Sequence, residues 1–421
     1  MPPKLVWFLT WAVLRIRART EVPVRAAARR VAIALARGDR RAERRADYAW
    51  WRGRAEIAIT LWRELEQSQP ARDTWPVKIA QAQSEGGDMA GAERTLLDAQ
   101  ARGIESERVR TNQLRYGRMV RRSNAGIDEA EAIVADPDAS PTRVFFSAAY
   151  LSAHNRLEAA RAGFERSLAD KDHAAQARGQ LAAVALLEER RAQGRPDIPG
   201  WASTAESSIL VREPSSDILV VGFTLPLGTL SLPMNAVHAM LSSKGVNALY
   251  LYDSRQLMHL AGTDRFGPGY QAMLDGIRAL AGELGTRKLI TLGASATGIT
   301  ALRAAIDLGA DGALSFSGQT MIPVDANASL ARSAYTLERV RAHARPMMGN
   351  LRSALLAKSP PVRVELYYSA ANRRDRMHAS NVADVPGVTL HPVKGVSRHD
   401  CLNEMAARGY RDLLAPFEAS W

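Results

Sequence analysis

Cysteine is nearly absent: Cys401 is the only one in 421 residues. A single thiol excludes an intramolecular disulfide, and the chain is expected to suit a reducing compartment. Paired metal-ligand spacings are missing as well. The eight histidines are scattered, so neither a metal nor a cofactor is expected. Long apolar runs are also lacking. The first, LVWFLTWAVL (Leu5 to Leu14), has ten residues and would span roughly 15 Å as a helix, about half a bilayer core. RIRAR follows at once, with no small-residue cleavage site, so neither a transmembrane helix nor a signal peptide is expected. Nucleic-acid motifs are lacking, and no nucleic-acid partner is expected.

What is present is ordinary globular composition, 46% apolar and 24% charged, in a chain long enough for two cores. The charge is uneven. Residues 1–54 hold 14 Lys and Arg against 4 Asp and Glu, so +10 of the total +12 sits there. This basic helical segment, 1–47, has two readings: a solvated face, or a face drawn to an anionic surface. Trp7 and Trp11 lie four apart with arginines behind them, which suits an interfacial anchor; a core helix is the alternative. The expected location is cytoplasmic, with peripheral contact at the inner membrane face through this segment.

Residues up to about 190 read as helix, rich in Ala, Arg, Leu and Glu, with apolar residues three and four apart. A period runs through them. Ala58 precedes Trp62 by four, Ala92 precedes Leu96, and Ala160 precedes Phe164; the alanines are 34 and then 68 residues apart. Between them Gly126 stands at the expected alanine, and DEAEAIVA suggests a shift of about four. A small residue followed by a large apolar one every 34 residues resembles the tetratricopeptide repeat, over 48–192. That resemblance implies helix pairs and a groove for a protein partner. A non-repeat helical bundle is the alternative.

The stretch 193–206, QGRPDIPGWASTAE, carries two prolines and two glycines and marks a linker. Beyond it, in 207–421, β-branched runs alternate with helical ones: DILVVGFT, VNALYLYD, KLITLG, GALSFSG, VRVELYYS and VTLHPV are strands. Such alternation implies a doubly wound, mostly parallel sheet covered on both faces. The fold class expected is therefore a helical repeat domain followed by an α/β domain. Residues 320–360 interrupt the rhythm as a helical insertion of the kind that often lids a site.

In open parallel sheets chemistry gathers at the carboxyl ends of strands. Ser295 follows KLITLGA, Asp375 follows VRVELYY, and His399 follows VTLHPV. A serine hydroxyl needs a histidine to take its proton and a carboxylate to orient that histidine. This order, with Gly293-Ala294-Ser295-Ala296-Thr297-Gly298 at the turn, resembles the α/β-hydrolase family over 207–420. The resemblance implies Ser295 as nucleophile, His399 as base and Asp375 as its partner. It implies the Ala296 amide as one oxyanion donor and Thr224 or Leu225 as the other. Thr297 stands where the family has glycine, with Gly298 one position late, so a wider packing distance or a distorted elbow is expected. Asp400 is expected to cap the helix from Leu402, Asp253 to hold a turn, His378 to face solvent, and Cys401 to be an inert helix residue.

These features predict a serine esterase or acyltransferase acting on an ester or thioester. SFSGQT after the nucleophile helix is similar to bacterial hydrolase-type proteins associated with surface polysaccharide genes, which implies acyl groups on sugars as substrate. The alternative, favoured by Thr297, is a non-catalytic interaction scaffold with a degenerate hydrolase domain.

Overall fold

The protein is described by a computed structural model over residues 27–34, 36–121, 124–198, 208–225, 229–241, 245–322, 334–344 and 349–418. Leu5–Leu14 and residues 199–206 of the linker lie outside the described residues. Among the described residues no helix is long and apolar enough to cross a membrane. Backbone contacts divide the chain into two compact units. One runs to Arg121 and takes in Arg255–Leu257 and Ile322–Gly349; the other comprises Arg122–Ser254, Met258–Met321 and Asn350–Trp421.

The first unit holds helices α1 (Gly38–Trp51), α2 (Ala55–Ser68), α3 (Thr74–Glu85), α4 (Met89–Ala101) and α5 (Glu107–Arg121). Successive helices pack on one another. The small and large residues four apart explain how. Ala58 and Ala92 are fully buried, as are Trp62 and Leu96: the alanine lets a neighbouring backbone approach while the large side chain fills the space beside it. Asp88 caps α4 by accepting the Gly91 N–H at 2.8 Å.

The second unit begins with α6 (Asn124–Ala135), α7 (Pro141–Ala153), α8 (Leu157–Ser167) and α9 (Ala174–Ala192). In α6 Ala130, Ile133 and Val134 are buried. A seven-stranded sheet follows, with β1 (Ser208–Val211), β2 (Ile218–Phe223), β3 (Asn247–Leu251), β4 (Lys288–Ala294), β5 (Gly312–Phe316), β6 (Arg363–Ser369) and β7 (Val388–Val393). Their order is β1-β3-β2-β4-β5-β6-β7. Only β1 runs antiparallel, against β3. β3 and β5 are buried at every residue, as strands covered on both faces must be. Pro392, which has no N–H to give a ladder, is confined to the edge strand β7.

Register fixes what comes next. Ala294 lies opposite Phe316, Phe316 opposite Tyr367, and Ser369 opposite Val393. The carboxyl ends of β4 to β7 are therefore level, and the turns that leave them open on one edge. Around the sheet lie α10 (Met234–Leu241), α11 (Tyr270–Glu283) and α12 (Gly298–Leu308). The insertion between β5 and β6 is helical at α13 (Ala334–Ala344) and α14 (Leu351–Leu356). α13 belongs to the first unit, where its Tyr335 meets Trp50 at 5.8 Å between ring centres; residues 323–333 and 345–348 lie outside the described residues. The chain ends with α15 (Arg373–Asn381), α16 (Cys401–Ala407) and α17 (Ala415–Glu418).

The division between units falls at Arg121, not in 193–206. The reason is a shared core: Phe164, Ala183, Val184 and Leu187 of α8 and α9 join one apolar cluster with Val220, Tyr250, Leu292 and Phe316 of the sheet. α9 comes close to α16 at Gly179, where an added Cβ would collide with the Asn403 carbonyl oxygen. Gly179→Ala should therefore destabilise the protein by about 1–3 kcal/mol through overpacking. Gly282→Ala, in α11 with open space around it, should leave stability unchanged or raise it by up to about 1 kcal/mol. Thermal or denaturant unfolding of the two variants checks the contrast.

Candidate functional site

β4 ends at Ala294, and the chain turns sharply through Ser295–Thr297 into α12. Ser295 has φ +50°, a left-handed conformation that a non-glycine residue rarely holds without a functional or structural demand. The turn is tight enough that a Cβ at Gly293 would lie 2.5 Å from the Thr297 carbonyl oxygen. Thr297 neither widens nor distorts it. Its buried Oγ1 donates to the Ala294 carbonyl at 3.0 Å and accepts the Ala294 N–H at 3.2 Å. The close approach belongs to Gly298 instead, where a Cβ would stand 2.5 Å from Gly318 Cα.

Ser295, His399 and Asp375 come together. The Ser295 hydroxyl donates to His399 Nε2 at 2.7 Å. His399 Nδ1–H donates to Asp375 Oδ1, which fixes the tautomer that leaves Nε2 as an acceptor. Asp375, only 1% exposed, lies in the first turn of α15, which Asn372 caps. Its second oxygen, Oδ2, accepts the Ser317 hydroxyl at 2.5 Å and the Ser369 N–H at 3.1 Å. Burial is the largest influence on this carboxyl and raises its pKa. The hydrogen bonds from His399 and Ser317, the His399 charge and the Ser369 amide together outweigh it and hold the pKa below the usual carboxylate value.

The segment around His399 is held from both sides by α9 and the turn before it. Arg398 donates to the Asp172 carbonyl at 2.6 Å. Asp400 accepts from Gln176 of α9 at 3.1 Å and from Asn403 at 2.8 Å. Gln180, one turn on, donates to Asn403 at 3.2 Å. Asp400 stands at the N-cap position of α16, as expected, but without a side-chain cap hydrogen bond; its carboxylate accepts from two side-chain amides instead. Burial, the largest influence, raises its pKa against the lowering effect of those bonds.

The expected oxyanion donors divide. Ala296 N–H lies in the first helical turn, where amides have no acceptor within the helix. The Thr224 amide donates to Leu251 O at 3.1 Å, and the Leu225 amide to Thr229 O at 2.8 Å. Both are thus committed elsewhere; residues 226–228 of that loop lie outside the described residues.

Of the other residues singled out, Asp253 accepts the His259 N–H at 2.9 Å and so holds its turn. Cys401 opens α16, and burial pushes its thiol up to about 12, which leaves it unreactive. His378 does not face solvent. It is 1% exposed and accepts the Thr320 N–H on Nδ1 at 3.3 Å. Ser317 and Gln176 were not singled out from sequence. Ser317 had a weak signal in its place one residue past a strand end; Gln176, more than two hundred residues before its partner, had none. Among the described residues no cluster of His, Cys, Asp or Glu could hold a metal ion.

Asp400→Asn should set one amide donor against another and cost about 1–3 kcal/mol, the price of a polar group left unpaired. Adding Gln176→Glu restores complementarity, since the carboxamide introduced at position 400 can then donate to the new carboxylate. Unfolding free energies of the single and double variants check this, and recovery in the double variant is the expected result. No protein-family model matches the chain, and no curated protein matches it either.

Proposed function

We propose that the second unit is a serine hydrolase or acyltransferase of α/β-hydrolase type. The observation that carries the reading is the unbroken relay from Ser295 Oγ through His399 to the buried Asp375 carboxylate, with Ser295 in the left-handed conformation of a nucleophile elbow.

The chemistry follows from those contacts. Ser295 Oγ attacks the carbonyl carbon of an ester or thioester while its proton passes to His399 Nε2. Asp375 stays ionised and stabilises the imidazolium. Charge developing on the carbonyl oxygen is met by the Ala296 N–H, a contribution worth about 10²–10³ in turnover for one such donor. The intermediate collapses as His399 returns the proton to the leaving alcohol or thiol. The acyl group then passes from Ser295 to water or a sugar hydroxyl: His399 takes the acceptor's proton, the acyl–Oγ bond breaks, and His399 returns the proton to Ser295 Oγ. Acylated saccharides are the proposed substrate class.

A non-catalytic scaffold fits less well, because a degenerate site has no need to keep a serine strained beside a correctly oriented histidine. Partner binding is a separate proposal for the 34-residue pattern of buried alanine and large apolar residues. It is compatible with catalysis in the second unit.

A fluorophosphonate, which reports an activated serine, should label the wild type at Ser295. Ser295→Ala and His399→Ala should both abolish or strongly suppress labelling without unfolding the protein. Labelling that survives Ser295→Ala sinks the proposed relay. Asp375→Asn should lower turnover of an activated ester by roughly 10⁴-fold, because the imidazole is then held in the wrong tautomer. Thr297→Gly should bring no gain in labelling, since Thr297 already fits its turn.

A further inference from the structure

Behind the relay lie hydrogen-bond donors that it does not use. Arg374 and His378 are one turn apart on α15 and therefore neighbours on one helical face. The Thr320 N–H occupies His378 Nδ1. Burial first, and then the Arg374 charge, push the His378 pKa down to about 3. The ring is neutral at physiological pH, so its hydrogen stays on Nε2. That Nε2 is buried and has no partner among the described residues.

Gln319, next to Thr320, ties this region to the nucleophile: its backbone N–H donates to the Ser295 carbonyl at 3.0 Å. Its side chain is 6% exposed, and Nε2 has no partner among the described residues. Arg374 is half-buried, and its Nε is buried without a partner among the described residues. The neighbouring Asp375 accepts from His399, Ser317 and the Ser369 amide rather than from Arg374, although its charge favours the Arg374 cation. Among the described residues, Arg374 Nε and these two buried side-chain donors lack acceptors, on α15 and on the turn after β5 that meets it through Thr320 and His378.

Leaving such groups unpaired costs stability, and an oxyanion would satisfy them. A carboxylate or phosphate offers several lone pairs to a guanidinium fork and leaves others for neutral donors. A neutral imidazole N–H and a carboxamide add donors without adding a second charge. We infer that Arg374, His378 and Gln319 form a subsite for an oxyanion group, carboxylate or phosphate, carried by the acylated substrate. This deepens the hydrolase reading and rests on it for the word substrate; the binding itself does not.

The test uses the full chain with Ser295→Ala, so that binding is measured apart from chemistry. Sodium succinate and inorganic phosphate are titrated separately by calorimetry, with sodium chloride as control. At least one anion should bind with one-to-one stoichiometry. Arg374→Gln should weaken it by about tenfold or more, the range for losing a charge-assisted hydrogen bond, and Arg374→Lys by less. Tighter succinate binding assigns a carboxylate, and tighter phosphate binding a phosphate. In the wild type, the anion that binds should raise KM for a neutral ester without changing kcat. Absence of binding by both anions, or equal binding to the Arg374→Gln protein, overturns the inference even if Ser295 labels. Binding without fluorophosphonate labelling of wild-type Ser295 leaves the subsite standing and removes the hydrolase reading.

Discussion

The site depends on one buried carboxylate. Asp375 is almost fully removed from water, and a charge so placed is tolerable only when hydrogen bonds replace its hydration. Three donors do so, each from a different strand end: Ser317 after β5, the Ser369 amide at the end of β6, and His399 after β7. The carboxylate therefore ties three turns of the sheet edge together. Ser317 meets it in a left-handed conformation, φ +48°, with its own amide bonded to the Tyr367 carbonyl at 2.7 Å. Strain at Ser295 and Ser317 is held in place by these bonds and by the glycine contacts of the elbow.

Helical segments and sheet are one structure in the second unit. α9 adds its apolar face to the core of the sheet, and its polar face meets the residues on either side of His399. A catalytic group needs supporting contacts that lock its position. Part of the support for His399 comes from a helix far from it in sequence. The residues at the strand ends and the preceding helices are therefore linked by packing.

Sequence carried the features governed by short-range rules. Alternation of β-branched runs with amphipathic helices gave the parallel sheet, and the ends of three strands gave Ser295, Asp375 and His399. The 34-residue spacing found Ala58, Ala92 and Ala160, all fully buried. What sequence could not carry depended on contacts between distant segments. The Pro- and Gly-rich stretch at 193–206 resembled a domain boundary, but the apolar face of α9 shares its core with the sheet. Asp400 takes the N-cap position that its local setting indicates, yet its carboxylate is held by the Gln176 and Asn403 side chains. His378 looked like a surface residue on a charged helix until the turn after β5 packed over it. Thr297 looked like a defect because the compensating contact lies between Gly298 and Gly318, outside the motif.

In the proposed reaction Ser295 becomes acylated. Intact-protein and peptide mass spectrometry after rapid mixing with p-nitrophenyl acetate and acid quenching tests it most directly. One acetyl group is expected, on the peptide that contains Ser295, decaying with time and lost in Ser295→Ala. An unmodified protein, or an acetyl group on any other residue, would contradict it.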